Sequence, residues 1–146
     1  EGSSFFVLSN QKTETSYAKI LSIKTLSFKT NDQIYTALKS IFTANQVSSV
    51  DLVLSAHNGD PNDDRISQHL LSALDLESKY FAFKSVCGEY NTASAFALYL
   101  ATNILNKTSI PGFQYSKITD NKSIKSILIH NHYRNTHHSF ILLSAC

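Results

Sequence analysis

Two ionisable residues stand at the ends of apolar stretches: His57 after residues 50–56, and Lys84 after Phe81-Ala82-Phe83. An imidazole at a strand end can donate to a developing oxyanion or move a proton near neutral pH. It can equally cap the strand by bonding a backbone carbonyl. An ammonium after an apolar run is partly desolvated and can pair with a carboxylate, for which Glu89 is the near candidate. That pairing can also be purely structural. Cys87 follows Lys84 by three positions. A thiolate beside a cation is a nucleophile, but no Cys–His pairing is evident and an inert buried thiol accounts for it. Four histidines crowd the end of the chain: His130, His132, His137 and His138. His-x-His and His-His can supply zinc ligands. No cysteine or carboxylate beside them completes a set, and a solvated polar loop is the simpler expectation. A strand would put His130 and His132 on one face, and His137 and His138 on opposite faces. Gly59 and Gly88 are single turn glycines that make neither a phosphate loop nor a dinucleotide fingerprint. No cofactor and no metal is assigned.

Positioning His57 and Lys84 falls to two strand–loop–helix units, residues 50–74 and 80–105. Their strands, residues 50–56 and 80–86, are nearly continuously apolar, as expected when both faces are buried. In open α/β sheets ligands sit at the carboxyl ends of strands, where both ionisable residues are delivered. The helix after Lys84 is the clearest in the chain. Ala93, Phe96, Ala97, Leu100, Ala101, Ile104 and Leu105 share one face, and its small-residue start lets it sit tight against strands. Ile66, Leu70, Leu71 and Leu74 form the inward face of the helix before it, with Asn62 or Asp63 as cap. An earlier helix, capped by Asn31 or Asp32, turns Ile34, Leu38, Ile41 and Phe42 inward. Residues 3–9 and 17–28 read as the two arms of a hairpin. Pro111-Gly112 ends the helical pattern. Residues 123–130 and 139–145 read as strands joined by a polar loop over 131–138. The elements run β-β-α-β-α-β-α-β-β, which predicts a mixed, mostly parallel sheet covered by helices.

With 146 residues the chain fits one domain with a real core. Thirteen basic against 11 acidic residues give a net charge of +2, and no basic run implies nucleic acid. Two cysteines make no disulfide framework and fit a reducing cytoplasm. No apolar run approaches the roughly 20 residues of a membrane span, and these residues contain no n-region or h-region of a signal peptide. The chain has no methionine, begins at Glu1, opens on Phe5-Phe6-Val7-Leu8 and closes on Phe140-Ile141-Leu142-Leu143. Domains more often carry a polar fringe at each end, so the expectation is a piece of a longer protein.

Taken in order, these segments resemble the C-terminal half of the β-ketoacyl synthases, the condensing enzymes of fatty-acid and polyketide synthesis. In that family a strand ends in H-G-T-G-T-x-x-N-D. VDLVLSAHNGDPNDD resembles a shortened version, with His57 on the catalytic histidine. The family's K-S-x-x-G-H-x-x-x-A-A-G is matched by Lys84-Ser85-Val86-Cys87-Gly88-Glu89, then Ala93-Ser94-Ala95. HNHYRNTHHSFILL occupies the place of N-S-F-G-F-G-G-x-N and its apolar strand. Glu1-Gly2-Ser3-Ser4 before the first apolar run resembles the G-E-G-A opening. The resemblance covers the whole chain. It implies a thiolase-like half with a five-stranded sheet, an N-terminal half of the same fold that holds the nucleophilic cysteine, a ketosynthase-like homo- or heterodimer partner, and an acyl carrier protein.

The departures are specific. Glu89 stands where the family has its second histidine, and a carboxylate there repels a malonyl carboxylate. The last loop has no glycine, so its backbone must differ from the family's. The resemblance thus leaves open a catalytic half using His57 and Lys84, and a non-catalytic partner like the chain-length factors, which Glu89 favours. A third alternative is a small α/β binding module with a His-rich metal loop.

Overall fold

A computed structural model of the chain describes residues 2–76, 80–107 and 123–146. Among the described residues the elements are β1 (Ala18–Ser27), α1 (Asn31–Ala44), β2 (Leu52–Ser55), α2 (Pro61–Ala73), β3 (Tyr80–Ala82), α3 (Lys84–Cys87), α4 (Ala93–Leu105), β4 (Ser126–Tyr133) and β5 (His137–Ala145). They build one five-stranded sheet in the order β1-β5-β4-β2-β3. β5 runs antiparallel to both neighbours, while β2 is parallel to β3 and to β4. Every strand but β5 therefore points the same way, the mixed and mostly parallel α/β sheet that the sequence predicts.

Alternation along the strands separates two cores. Leu52 and Leu54 of β2, with Ile127 and Ile129 of β4, pack under the stripe Ala93, Ala97, Leu100, Ala101 and Ile104 of α4. Val53, Leu128, Phe140 and Leu142 face the other way, onto Ile34, Leu38 and Ile41 of α1 and Leu70 and Leu71 of α2. Both faces of β2 are thus covered, which is why its residues are buried without a break. The sheet lies between α4 on one side and α1 with α2 on the other.

The helix starts differ from expectation by one to three residues. Thr30, not Asn31 or Asp32, caps α1. Its extended backbone lets the hydroxyl accept from Gln33 N, while Gln33 Oε1 accepts from Thr30 N at 3.1 Å. Asp60, not Asn62 or Asp63, caps α2 by accepting from Asn62 N at 2.9 Å. Pro61 follows at the first helical position, where no N–H is needed.

Three strand expectations also change. Residues 3–9 form no strand, so the leading hairpin is absent and the order starts with a single strand. β1 pairs along its length with β5 instead, and Gly2 O is held by Thr92 Oγ1 at 2.9 Å beside the start of α4. Phe5 and Val7 are left exposed. The strand expected over 80–86 stops at Ala82, because Lys84–Cys87 turns into a single helical turn. At the other end the polar loop is only residues 134–136. The strands reach Tyr133 and His137, because their ladder continues through His132 opposite His138. The Pro111-Gly112 break lies outside the described residues.

Replacing Thr30 with alanine removes a reciprocal cap and is expected to cost about 1 kcal/mol. Thr30→Ser is expected to restore most of it. Denaturant unfolding of the intact protein measures both, and equal midpoints for wild type and Thr30→Ala would contradict the cap's role.

Candidate functional site

Lys84 is the centre of the site. The run Phe81-Ala82-Phe83 carries it below the surface: Phe83 is fully buried, and its N–H donates to Ser55 O at 3.2 Å. Lys84 itself is only 4% exposed. A buried ammonium must be neutralised and hydrogen-bonded. Its Nζ donates to Glu89 Oε2 at 2.6 Å and to the backbone carbonyl of His132 at 3.1 Å. Gly88 makes the first contact attainable. Its φ of 82° and ψ of −179° belong to a region open essentially to glycine alone, and it turns the chain after α3 so that Glu89 faces back. The Glu89 side chain is 45% exposed, so the pair sits at the rim with only its cation sealed in.

The first loop reaches the same carboxylate. Asn58 Nδ2 donates to Glu89 Oε2 at 3.3 Å. The loop around it is braced from α2: Asp64 accepts from Asn58 N at 2.9 Å and from Gly59 N at 3.0 Å, and Asn58 Oδ1 accepts from Asp60 N at 2.9 Å. Glu89 therefore joins the carboxyl end of β2 to α3, and Lys84 joins α3 to β4. The structure brings Lys84 and Glu89 into direct contact. His57 has no hydrogen bond to either among the described residues, and Asn58 is the bridge.

His57 follows Ser55 on the α2 side of β2. Its Nδ1 lies 2.7 Å from Ser55 Oγ, and its Nε2 is buried without a partner among the described residues. The Tyr80 ring packs against it, centroids 5.0 Å apart. Burial holds the imidazole below its usual pKa, outweighing Asp64, which favours the charged ring. His57 is thus a neutral ring with Nδ1 beside Ser55 and with the Gln68 side chain, like Asp64, favouring its charged form. Cys87 is half-buried, its Sγ 3.3 Å from Gly88 O, and burial raises its pKa above the ordinary thiol value. A protonated thiol is a poor nucleophile.

The terminal histidines are not a solvated loop. His130, His132 and His138 are buried, while His137 points outward against Phe28. The expected sidedness holds, but the cluster sits in the sheet because β4 and β5 extend through it. Ser67 Oγ, His130 and His138 form a chain ending on Asn135 O, with steps of 3.4, 3.2 and 3.3 Å. A carbonyl only accepts, so His138 Nε2 donates to it. His138 Nδ1 then accepts from His130 Nε2, and His130 Nδ1 accepts from the Ser67 hydroxyl. Every ring in the chain is neutral. His132 lies beside it with both ring nitrogens buried and unpartnered among the described residues. Burial first, then Lys84 and His138, push it down to about 4. Among the described residues no group of three or more His, Cys, Asp or Glu is arranged to hold a metal ion. The turn beyond it, Arg134-Asn135, places two non-glycine residues at φ of 48° and 52°, a left-handed hairpin geometry that L residues adopt only at a cost.

Ser55, Asn58, Ser67 and Asn131 did not stand out as functional candidates in the sequence. One signal was present: Ser67 interrupts the apolar inward face of α2, three and four positions before Leu70 and Leu71. Asn131 Nδ2 donates to Ser94 Oγ at 2.7 Å, fastening β4 to the small-residue start of α4.

No protein-family model and no curated protein matches the chain. Solved structures match its fold. A PfaC keto synthase–chain length factor superimposes with a TM-score of 0.67 at 18% identity, over 93% of this chain and 14% of that one. The oxazolomycin ketosynthase domain OzmH KS8 of Streptomyces albus JA3453 gives 0.67 at 10% identity, over 89% and 45%. A type II polyketide acyl-carrier protein in complex with its ketosynthase bound to the hexaketide gives 0.60 at 10% identity, over 89% and 34%. The fold is that of the thiolase-like ketosynthases, and the chain spans less than half the length of each of these structures.

The buried histidines set an acid limit. A ring held below 6.5 in the folded state favours folding fully above that pH, and the contribution is lost as pH falls toward the folded value. For His132 the window runs from 6.5 down to about 4, with on the order of 3 kcal/mol at stake. The urea midpoint is expected to fall across this window. His132→Phe, which keeps a ring but removes the titration, is expected to flatten the decline. An unchanged slope in that variant would assign the acid sensitivity elsewhere.

Proposed function

We propose that the chain is the C-terminal portion of a β-ketoacyl-synthase-like protein of fatty-acid or polyketide assembly, and that it serves as a non-catalytic ketosynthase partner of the chain-length-factor kind. The observation that carries this reading is the 2.6 Å pair between Lys84 and Glu89. At the position where the resemblance implies a second imidazole donor, this chain has a carboxylate that is already engaged by its own lysine. The ammonium, which would otherwise stabilise developing negative charge, is neutralised by that carboxylate. What faces outward is the half-exposed carboxylate, which disfavours a malonyl group by like-charge repulsion. An N-terminal half of the same fold, a ketosynthase-like subunit and an acyl carrier protein are the partners this reading calls for.

One observation favours the alternative of a catalytic half. His57 Nε2 is buried with no hydrogen-bond partner at bonding geometry among the described residues, as a group awaiting a substrate oxygen would be. In that case the nucleophilic cysteine would be supplied from outside this chain.

Decarboxylation of malonyl-carrier protein separates the two. The intact wild-type protein is expected to release carbon dioxide at less than about tenfold over the protein-free rate, since losing a positioned donor typically costs about 10²–10³ in rate. Robust release would overturn the non-catalytic reading. The intact protein carrying His57→Ala is expected to bind a ketosynthase subunit within about threefold of wild type, the range of small surface effects. Loss of that complex would give His57 a structural rather than a chemical role.

A further inference from the structure

The turn between β4 and β5 has a backbone that must be held in place. Of the described non-glycine residues with positive φ, Gln46, Asp75 and Lys107 sit just past the ends of α1, α2 and α4. A left-handed residue is usual there. Arg134 and Asn135 stand side by side between two strands, with no helix to end. Asparagine tolerates that conformation, but arginine adopts it only at a cost. Three contacts hold the turn from its rim. Thr136 N donates to Tyr133 O at 3.0 Å, Phe28 N donates to Thr136 O at 2.7 Å, and Asn135 Nδ2 donates to Asn62 O on α2 at 2.8 Å. A fourth comes from inside the protein: buried His138 donates from Nε2 to Asn135 O at 3.3 Å. As a neutral ring His138 can do this in one tautomer only, because a carbonyl cannot donate. Burial keeps the ring neutral, outweighing the Asn135 carbonyl, which favours its charged form. Its Nδ1 rests on His130, and His130 rests on Ser67 of α2.

We propose that His138 is a positioning residue for Lys84: by donating from Nε2 to Asn135 O it holds the left-handed turn down, and so keeps the end of β4 where the His132 carbonyl meets the Lys84 ammonium. The ladder makes the connection direct. His138 lies opposite His132, with ring centroids 5.8 Å apart, and the His132 carbonyl accepts from Lys84 Nζ at 3.1 Å. With that carbonyl in place the buried ammonium has a second acceptor besides Glu89. Glycine takes a left-handed backbone without steric cost, but this turn has none, and the buried imidazoles supply the restraint from below. The inference goes beyond the proposed function and does not depend on it, since Lys84 must be held in a catalytic half and in a non-catalytic partner alike.

The test uses the intact protein labelled with ¹⁵N at histidine and lysine. Long-range ¹H–¹⁵N spectra read the ring tautomers, and the Lys84 ammonium signal reads the exchange of its protons with water. Wild type is expected to carry the His138 proton on Nε2, with Nδ1 bare. His138→Phe keeps a ring and removes the donor. Its Lys84 protons are expected to exchange at least about tenfold faster, the factor for one hydrogen bond to a charged group. His138→Gln, which keeps an N–H near the place of Nε2, is expected to return to within about threefold of wild type. Leu142→Ala, buried on the same face of β5, loses stability and is expected to leave Lys84 exchange in the folded protein unchanged. A proton on His138 Nδ1 in wild type overturns the proposal. So does unchanged Lys84 exchange in His138→Phe, an equal acceleration in Leu142→Ala, or a His138→Gln as fast as His138→Phe. Should His138→Phe fail to fold, His138→Asn takes its place with the same expectation, because its amide reaches the position of Nδ1 and not that of Nε2.

Discussion

A lysine ammonium sealed inside the protein is the constraint around which this site is arranged. Lys84 cannot stay buried and charged without partners. Meeting that requirement draws together parts of the chain far apart in sequence: the carbonyl of His132 on β4, and the Glu89 carboxylate beyond α3. Glu89 in turn takes Asn58 from the loop after β2. The carboxyl ends of three adjacent strands are thereby tied at one point. Gly88 is the local condition for this, since its backbone conformation allows α3 to end and Glu89 to return.

The two faces of the sheet are built differently toward that end. On the α4 side, small residues and a continuous apolar stripe keep the core dry along α4. On the α2 side the apolar layer gives way to Ser55, His57, Ser67, His130, His132 and His138. Most of these polar groups satisfy one another, so the layer is a network with defined donors and acceptors. The nitrogens left over, on His57 and His132, lie at its end, beside the loop that Glu89 joins. An apolar core holds the strands in place, and a polar layer gives their ends a chemical character.

Much of this was legible in the residues. The helical faces of α1 and α4 follow from spacing alone, and the buried run of β2 follows from its composition. Other features misled for physical reasons. Thr30, Asn31 and Asp32 are all good caps, and the extended backbone at Thr30 alone selects among them. Residues 131–138 look like a loop because they are polar, yet histidines at alternate positions can be buried as neutral rings once neighbours supply hydrogen bonds. Phe5 to Leu8 look like a strand because they are apolar, but β5 supplies the ladder for β1 and they find no place in the sheet.

By itself the sequence determined the types of element, their inward faces, and the delivery of His57, Lys84 and Glu89 to strand and turn ends. Those properties depend on residues within a few positions of one another, through backbone preference and periodicity. Only the tertiary structure decided that Lys84 is neutralised at the rim by Glu89, that three of the late histidines are interior, and that Ser55 holds His57. These are hydrogen-bond pairings, and several link residues remote in sequence, such as Ser67 with His130 and Lys84 with His132. A partner is chosen by proximity and by the cost of leaving a buried polar atom unpaired, and neither is set until the sheet has assembled.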